Sequence, residues 1–379
     1  MKLLHRHIFA SVALTSLAAV AVLGFVLMLG NLLKDVLPRL LAAQIDPETV
    51  FRLVWLSIPF VVSYALPMGI LTGVLLVLGR MSADREITAI RSAGVSIAGI
   101  SAPIFFFALL GVVLSGSVNF YFMPITRLAY QRELADTVRA NPLSFIVEKT
   151  FIRDFPGRVI FVSEKQGELM KDFWIWELDS ENKVRHFARA QTARVDYDEP
   201  NNKLVLTLSR VQAESRDEKD PENFSVLRGA ATSDQATFDL SLDQLTGRQT
   251  VSVKLKWMTL PQLWTEWQRL GRPDPKVPLA ERQNLRIKVQ TVIQEKAATA
   301  FSVLSFALIA IPLGIKVSRK ETSANLGVAL ALAMAYYFAT VVVGWFDNKP
   351  EFRPDLLMWL PNFGFQVLGI RMFYKADRG

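Results

Sequence analysis

The sequence predicts an α-helical membrane protein of six transmembrane helices, three before and three after an inserted all-β domain. Three observations carry this prediction: two groups of three long apolar segments, a polar block with strand-like alternation between them, and basic residues concentrated in the short loops of one side. The chain has 379 residues, of which 51% are hydrophobic, and a formal net charge of +8. This composition excludes a simple soluble domain and a disordered chain.

The first apolar run resembles a secretory signal, because it follows a short basic start. It continues from Ile8 to about Leu33, well beyond the roughly 7 to 15 residues of a signal-peptide core, and is therefore interpreted as a retained span. The other five apolar segments cover about 53–79, 97–125, 297–315, 325–346 and 356–370. Within these limits none contains Asp, Glu, Lys, Arg or His, and the last needs residues 371–374 to reach the membrane surface.

Basic residues in the short loops predict the orientation. If the N-terminus is cytoplasmic, the short loops on that side contain eleven lysines and arginines and only four acidic residues, as the positive-inside rule requires. The basic set is Lys2, Arg6, Arg80, Arg85, Arg91, Lys316, Arg319, Lys320, Arg371, Lys375 and Arg378. Both termini are then cytoplasmic, and the polar middle block lies on the other side of the membrane.

The middle block alternates between apolar and polar residues, as half-buried strands do. The pattern is clear in 158–163, 173–178, 204–209, 238–243 and 251–257, with turn sequences at 155–157 and 199–202. These short strands predict an antiparallel sandwich from about Asn141 to Trp257. An amphipathic helix over 258–270 and a proline-rich linker over 272–278 lead back toward the membrane.

Missing residue types exclude several functions. There is no cysteine, only three histidines are present, and no GxxxxGK[ST] phosphate loop occurs, so neither a metal site nor a cofactor is expected. No nucleic-acid partner is expected either. The absence of ionisable residues inside the spans argues against a secondary transporter, and no catalytic constellation appears. If the protein does energised work, the nucleotide is hydrolysed by another chain.

A charged stretch between the second and third spans, residues 80–96, predicts an amphipathic docking helix over 82–94. On a helical wheel Asp84, Arg85 and Arg91 share one side, whereas Ile87 and Ile90 share the other, and Gly94 is the expected C-terminal stop. Glu86 falls on the apolar side, where an unpaired carboxylate is costly. The stretch is either a solvated loop helix or a helix seated in a partner's groove with Glu86 paired to a cation.

Two further groups of residues have both an ordinary and a functional interpretation. Lys34 and Arg39 lie just outside the first span, where they either anchor the interface or bind an anionic lipid headgroup. Leu204, Leu206 and Leu208 form an apolar stripe on one strand face. This stripe is either core packing or the wall of a path for lipid chains.

Several segments resemble one known family, the LptF/LptG permeases of the lipopolysaccharide exporter. They are LPMGILTGVLLVLGRMSADREITAIRSAGVS, NFYFMPI, HFARAQTARVDYDEPNNKLVLTLSRV, IPLGIKVSRKE and WLPNFGF, and they extend over nearly the whole chain. The first span and ANPLSF are slightly more similar to LptF than to LptG. The stretch from Leu78 to Gly94 is the most specific part.

The resemblance implies a set of partners and roles. It implies six spans, a periplasmic β-jellyroll over 127–290 between helical parts 1–126 and 291–379, a second permease of the same type, an LptB-type ATPase dimer, an LptC-type periplasmic bridge protein and lipopolysaccharide as substrate. Arg85, Glu86, Ile87, Ile90 and Arg91 would then form the coupling helix to the ATPase. One departure is Glu295-Lys296-Ala297-Ala298, because the family commonly has an Arg and then Pro there. A non-transporting scaffold or mechanotransmitter that recruits a periplasmic partner is the alternative.

Overall fold

A computed structural model gives the fold of the chain in two compact units. It describes residues 2–37, 46–140, 146–153, 155, 157–179, 183–198, 203–216, 227–241, 255–273, 278–316, 322–346 and 349–378. The helical unit comprises Met1–Leu32, Val54–Leu128 and Lys254–Gly379, and the sheet unit comprises Leu33–Leu53 and Ala129–Val253. Residues 254–290, which the sequence assigns to the middle domain, group with the helical unit.

Long apolar runs form helices because a helix satisfies every backbone hydrogen bond within its own segment. The described helices are α1 Lys2–Asn31, α2 Pro47–Ala83, α3 Glu86–Ser92, α4 Ile97–Ser117, α5 Met123–Ala140, α6 Leu260–Gly271, α7 Leu279–Lys316, α8 Thr322–Gly344, α9 Pro354–Leu357 and α10 Leu360–Arg378. Single π-helical turns follow α1 at Leu32–Val36 and α4 at Val118–Phe122. Short 3-10 turns occur at Leu255–Trp257 and Pro350–Phe352.

Five helical segments within the described residues are long and apolar enough to cross a membrane. They are Lys2–Lys34, Pro47–Ala83, Ile97–Leu134, Glu281–Lys316 and Asn325–Gly344. The sixth expected span corresponds to α10. This helix begins only at Leu360, after the separate short helix α9, and its apolar part ends before Arg371. The structure thus gives five of the six spans by length and composition.

Two glycines let α2 approach α1 to backbone contact. A Cβ atom built on Gly73 would lie 2.6 Å from the Cα of Ser16, and one built on Gly69 would lie 2.8 Å from the backbone nitrogen of Val20. Only hydrogen fits at either position, and small residues four apart are typical of such contacts between membrane helices. The rest of α1 is largely uncovered, since 17% of its most apolar window is buried.

The sheet unit contains one antiparallel sheet of five strands in sequence order. The strands are β1 Arg158–Gln166, β2 Leu169–Leu178, β3 Val184–Asp198, β4 Lys203–Arg216 and β5 Leu227–Ser241. The predicted strands 158–163, 173–178 and 204–209 are therefore confirmed, and the part of 238–243 that is described lies in β5. Leu206 pairs with Val195 on one side and with Phe238 on the other.

A row of irregular positions crosses the sheet and shifts which residues face its interior. The skipped residues are Ser163, Asp172, Gln191, Arg210 and Asp234. Asp172 and Arg210 have left-handed φ angles of 52° and 53°. On β4 the buried residues therefore change from even-numbered positions, which end at Leu208, to the odd-numbered position Val211. Although burial opposes the charged form, hydrogen bonds from Arg189, Ser163 and Trp174 lower the pKa of Asp172.

The expected two-sheet sandwich is not what the described strands form, because all five belong to a single sheet. The sheet curves, so that Nη1 of Arg158 on β1 donates to the carbonyl oxygen of Asp239 on β5 at 3.1 Å; bulges and twist produce such curvature. The strand predicted over 251–257 is wrong at Leu255–Trp257, which is a 3-10 turn, and its first part lies outside the described residues. The helix predicted over 258–270 is α6.

Candidate functional site

Helix α3 is a short helix set between two long ones, and its ends have clear local causes. It starts after Arg85, which has a left-handed φ of 59° and separates it from α2. It ends at Ser92, two residues before Gly94, whose φ is 86°. The amide of Gly94 donates to Arg91 O at 2.9 Å and that of Val95 to Ile90 O at 3.3 Å, as in a Schellman motif. The glycine stop is confirmed, whereas the helix is shorter than the predicted 82–94.

The apolar side of α3 is fixed to the helical unit. Ile87 is 4% exposed and belongs to the main helical core, and Ile90 packs against that core. Ile87 therefore anchors α3 and offers almost no surface to a partner. Nearby, Ser82 Oγ at the end of α2 donates to Ile315 O at the end of α7 at 2.8 Å, so the base of α3 is tied to two long helices.

The charged side of α3 is open. Asp84, Arg85 and Glu86 are exposed and Arg91 is half-buried, and among the described residues no ion pair or hydrogen bond of the Glu86 carboxylate occurs. The prediction that Glu86 lies on a buried side is wrong, because α3 buries only the side around Ile87, about 100° from Glu86 on the wheel, and leaves Ala93 beside Glu86 exposed. Glu86 is thus an exposed carboxylate on an anchored helix, available to water or to another chain.

An apolar cleft of about 410 Å³ opens between α1, α2 and α8. Its lining includes small and aliphatic side chains from each helix, among them Ala19, Val22, Met68, Leu330 and Ala333. The helices α1 and α8 are the least covered spans, with 17% and 22% of their apolar windows buried. A cleft of this character accommodates hydrocarbon and not a polar solute.

A second apolar cleft, of about 440 Å³, lies on the interior face of the sheet. Small residues on three adjacent strands create the space, because Ala188 pairs with Ala213 and Ala213 pairs with Ala231. Phe238 and Ile175 line its sides. The sequence did not predict this cleft, although the alanines at these strand positions are visible in it.

The three leucines predicted as a lipid path lie elsewhere on the same face. Leu204, Leu206 and Leu208 are fully buried and belong to the packed core of the sheet unit. Their inward parity is confirmed, and they form the closed part of the interior, next to the open part around Ala213.

Lys34 lies in the π-helical turn after α1, and its side chain is exposed. That position leaves its ammonium group available to an anionic ligand or to water. Arg39 lies outside the described residues.

Lys296 is a buried cation directly before the predicted fourth span, 297–315. It lies within the continuous helix α7 and is only 6% exposed. Its Nζ donates to Asn119 O and Met258 O, both at 3.1 Å. Asn119 belongs to the π-helical turn after α4, and its Oδ1 accepts a hydrogen bond from Ser63 Oγ at 2.7 Å. The cation therefore joins α2, α4 and α7 to the turn that precedes α6.

Taken with the fold, these features define a class of protein: a multispan membrane protein with an inserted antiparallel sheet unit and apolar clefts in both units. The described residues contain no group of three His, Asp or Glu side chains that could hold a metal ion.

The family model for the lipopolysaccharide export system permease LptF/LptG matches residues 6–375, and the chain belongs to this family. The chain is 22% identical over 344 residues to the lipopolysaccharide export system permease protein LptF of Escherichia coli strain K12, which covers 88% of this chain and 86% of that protein. The LptF proteins of Escherichia coli O157:H7 and Shigella flexneri give the same identity and coverage.

Proposed function

We propose that this chain is the transmembrane permease subunit of an ATP-driven exporter that moves lipopolysaccharide from the inner membrane toward the outer membrane. In this assembly it pairs with a second LptF/LptG-type permease, an LptB-type ATPase dimer and an LptC-type bridge protein. It spans the inner membrane six times, with both termini cytoplasmic and the sheet unit in the periplasm as a jellyroll-like domain. The family membership and the positive-inside charge pattern support this assignment.

The observation that carries the proposal is the arrangement of α3. An anchored apolar side at Ile87 and an exposed, unpaired Glu86 are what a coupling helix needs, because force applied to the helix reaches the core without being lost in a flexible loop. The carboxylate would pair with a basic group in the ATPase groove, and Arg85 and Arg91 would add contacts at its edge. Closure of the ATPase would then press on α2 and α7 through the base of α3.

The two apolar clefts give the lipid a place to bind before and after transfer. Acyl chains would first occupy the cleft between α1, α2 and α8, which is open on its side, and then the cleft at Ala188, Ala213 and Ala231. Lys34, at the end of α1, would contact an anionic headgroup, as would Arg39. Leu204, Leu206 and Leu208, which are packed in the closed part of the sheet interior, would continue the apolar path when that part opens.

The proposal is tested by reconstitution of the chain with its partner permease and the ATPase in liposomes that contain lipopolysaccharide. We expect lipopolysaccharide to stimulate ATP hydrolysis and to be released to a soluble periplasmic acceptor only when ATP is present. ATP hydrolysis that neither responds to lipopolysaccharide nor releases it would contradict the exporter assignment and favour a scaffold or mechanotransmitter.

A photo-crosslinking residue tests the route within the sheet unit. At Ala213, which faces the cleft, it should capture lipopolysaccharide when ATP is supplied to the assembled complex, and at the outward neighbour Gln212 it should capture little. The pair Leu206 and Thr207 makes the same comparison in the packed part of the interior. Equal capture at Ala213 and Gln212, or capture at Ala213 without ATP, would remove the sheet interior from the energised path.

A further inference from the structure

Helix α6 has one buried row, one exposed apolar row and one polar side. Leu263 is fully buried against Val289 and Val292 of α7, which holds the helix in place. Trp264 and Leu260, one turn apart, are 53% and 41% exposed. Helical spacing puts them on the same side, beyond the row that contacts α7. The apolar surface of α6 is therefore wider than its contact with the protein.

The exposed row continues into an aromatic and cationic surface. Trp264 stacks on Trp267 with ring centroids 5.3 Å apart, and the guanidinium of Arg286 lies 4.0 Å from the Trp267 ring centroid. Arg269 and Arg272 at the end of the helix are exposed. Indole rings beside guanidinium groups match the boundary between acyl chains and phosphate headgroups, where aromatic residues are enriched in membrane proteins.

The position of α6 along α7 agrees with such a boundary. It packs on residues 289 and 292, only a few residues before Lys296 and the uncharged stretch from Ala297 to Ile315. At 1.5 Å per residue, this places the contact roughly 8 to 12 Å outside the start of that stretch. Trp359 lies at the same level, because its Nε1 donates to Gln294 Oε1 at 2.8 Å.

We propose that α6 is an interfacial helix that inserts Leu260 and Trp264 into the headgroup region of the membrane leaflet on that side. The apolar row contacts the acyl chains of phospholipids, and the phosphates lie near Arg272 and Arg286. The helix follows directly on the 3-10 turn Leu255–Trp257 and on Met258, whose carbonyl binds Lys296. The membrane surface thus fixes the point where the chain enters the helical unit from the sheet unit.

Spin labelling tests this inference, and the chain has no native cysteine to replace. A nitroxide at Leu260→Cys is compared with one at Gln262→Cys, an exposed polar position on the other side of the same helix. The full chain, in its permease complex, is placed in nanodiscs of phosphatidylethanolamine and phosphatidylglycerol. The label at 260 should collide several-fold more often with oxygen than with a water-soluble nickel chelate, and the label at 262 should show the reverse.

A second substitution separates insertion from simple exposure. Trp264→Ser in the chain labelled at 260 should raise its accessibility to nickel, whereas Thr265→Ser on the polar side should leave it unchanged. Equal nickel accessibility at 260 and 262, or exclusion of both reagents from 260 as beneath a protein partner, would overturn the inference, as would no response to Trp264→Ser. Since no ATP is needed, these outcomes are independent of lipopolysaccharide export.

Discussion

Two short helices at opposite ends of the helical unit begin in the same way but differ in their acidic residue. Arg85 before α3 and Arg353 before α9 both adopt left-handed conformations, with φ of 59° and 50°. In α9, Asp355 is 1% exposed and accepts hydrogen bonds from Arg353 at 3.0 and 2.8 Å. In α3, Glu86 is exposed, and no ion pair of its carboxylate occurs among the described residues.

The difference distinguishes a carboxylate that completes the fold from one available to another chain. Asp355 is held by a fork of two parallel hydrogen bonds, so its role ends within this molecule. Glu86 makes no hydrogen bond or ion pair that is described in this chain, yet the helix that carries it is anchored through Ile87. We therefore expect substitutions at the α9 turn to change stability and substitutions at the α3 turn to change coupling.

The largest effect is expected for Glu86→Ala. In the assembled exporter, loss of the carboxylate would leave a partner cation unpaired at a cost of roughly 2 to 5 kcal/mol in the interaction with the ATPase. The melting temperature of the isolated permease should not change. Copurification with the ATPase and lipopolysaccharide-stimulated ATP hydrolysis measure the loss.

Asp84→Ala is the matched control for Glu86→Ala, since both residues are exposed acids beside Arg85. It should weaken coupling much less. Equal losses from the two substitutions would assign coupling to the general charge of the loop and not to Glu86.

The next effect is expected for Lys296→Met, which removes a cation whose partners lie within the chain. Asn119 O and Met258 O would each lose a hydrogen-bond donor, and we expect a cost of about 1 to 3 kcal/mol in stability. Thermal unfolding in detergent measures this fall. Lys296→Arg keeps donors at the site and should retain most of the stability; if Lys296→Met is as stable as the native protein, the cation is not a tie between these segments.

Asp355→Asn should give a smaller, pH-dependent loss. The hydrogen bonds from Arg353 lower the pKa of Asp355 below its ordinary value of 3.8, so the ionised pair stabilises the fold at neutral pH. This contribution is present above the ordinary pKa and is lost as the pH falls through the lower pKa of the folded state. The difference in melting temperature between native protein and variant should shrink below about pH 4; a difference independent of pH would point to packing alone.

The sequence predicted features that depend on local periodicity. The apolar runs became helices, the alternating segments 158–163, 173–178 and 204–209 became strands, and Gly94 became a helix stop. These outcomes follow from patterns of a few residues, which the backbone converts directly into structure.

Features that depend on a single backbone conformation or on distant partners were not predictable. Nothing in the residue type of Arg85 signals a left-handed break, so the helix was predicted to begin too early, at residue 82. The exposure of Glu86 and of its wheel neighbour Ala93 depends on which side of α3 packs against the core, and periodicity alone does not give that. Lys296 binds a carbonyl 177 residues earlier in the chain. The sheet likewise needed the left-handed conformations of Asp172 and Arg210, whose side chains would equally suit regular exposed positions.

The smallest effect is expected when glycine replaces the left-handed arginine before α3. It gives the sharpest test of the comparison, because the change in stability should have opposite signs for Arg85→Gly and Arg353→Gly. A left-handed conformation costs a non-glycine residue about 1 kcal/mol or more, and glycine removes that strain. Its greater conformational freedom in the unfolded chain lowers the stability of the fold by roughly half as much. Arg85→Gly should therefore raise the stability of the isolated permease by about 0.5 kcal/mol.

Arg353→Gly relieves the same strain but leaves the buried Asp355 carboxylate without its guanidinium partner. An unpaired buried carboxylate costs more than a relaxed backbone returns, so this variant should melt at a lower temperature than the native protein. Thermal unfolding of the two variants under one condition decides the matter. If both glycines stabilise, the Arg353 pair contributes nothing, and if both destabilise, Arg85 makes a contact that the open α3 turn does not account for.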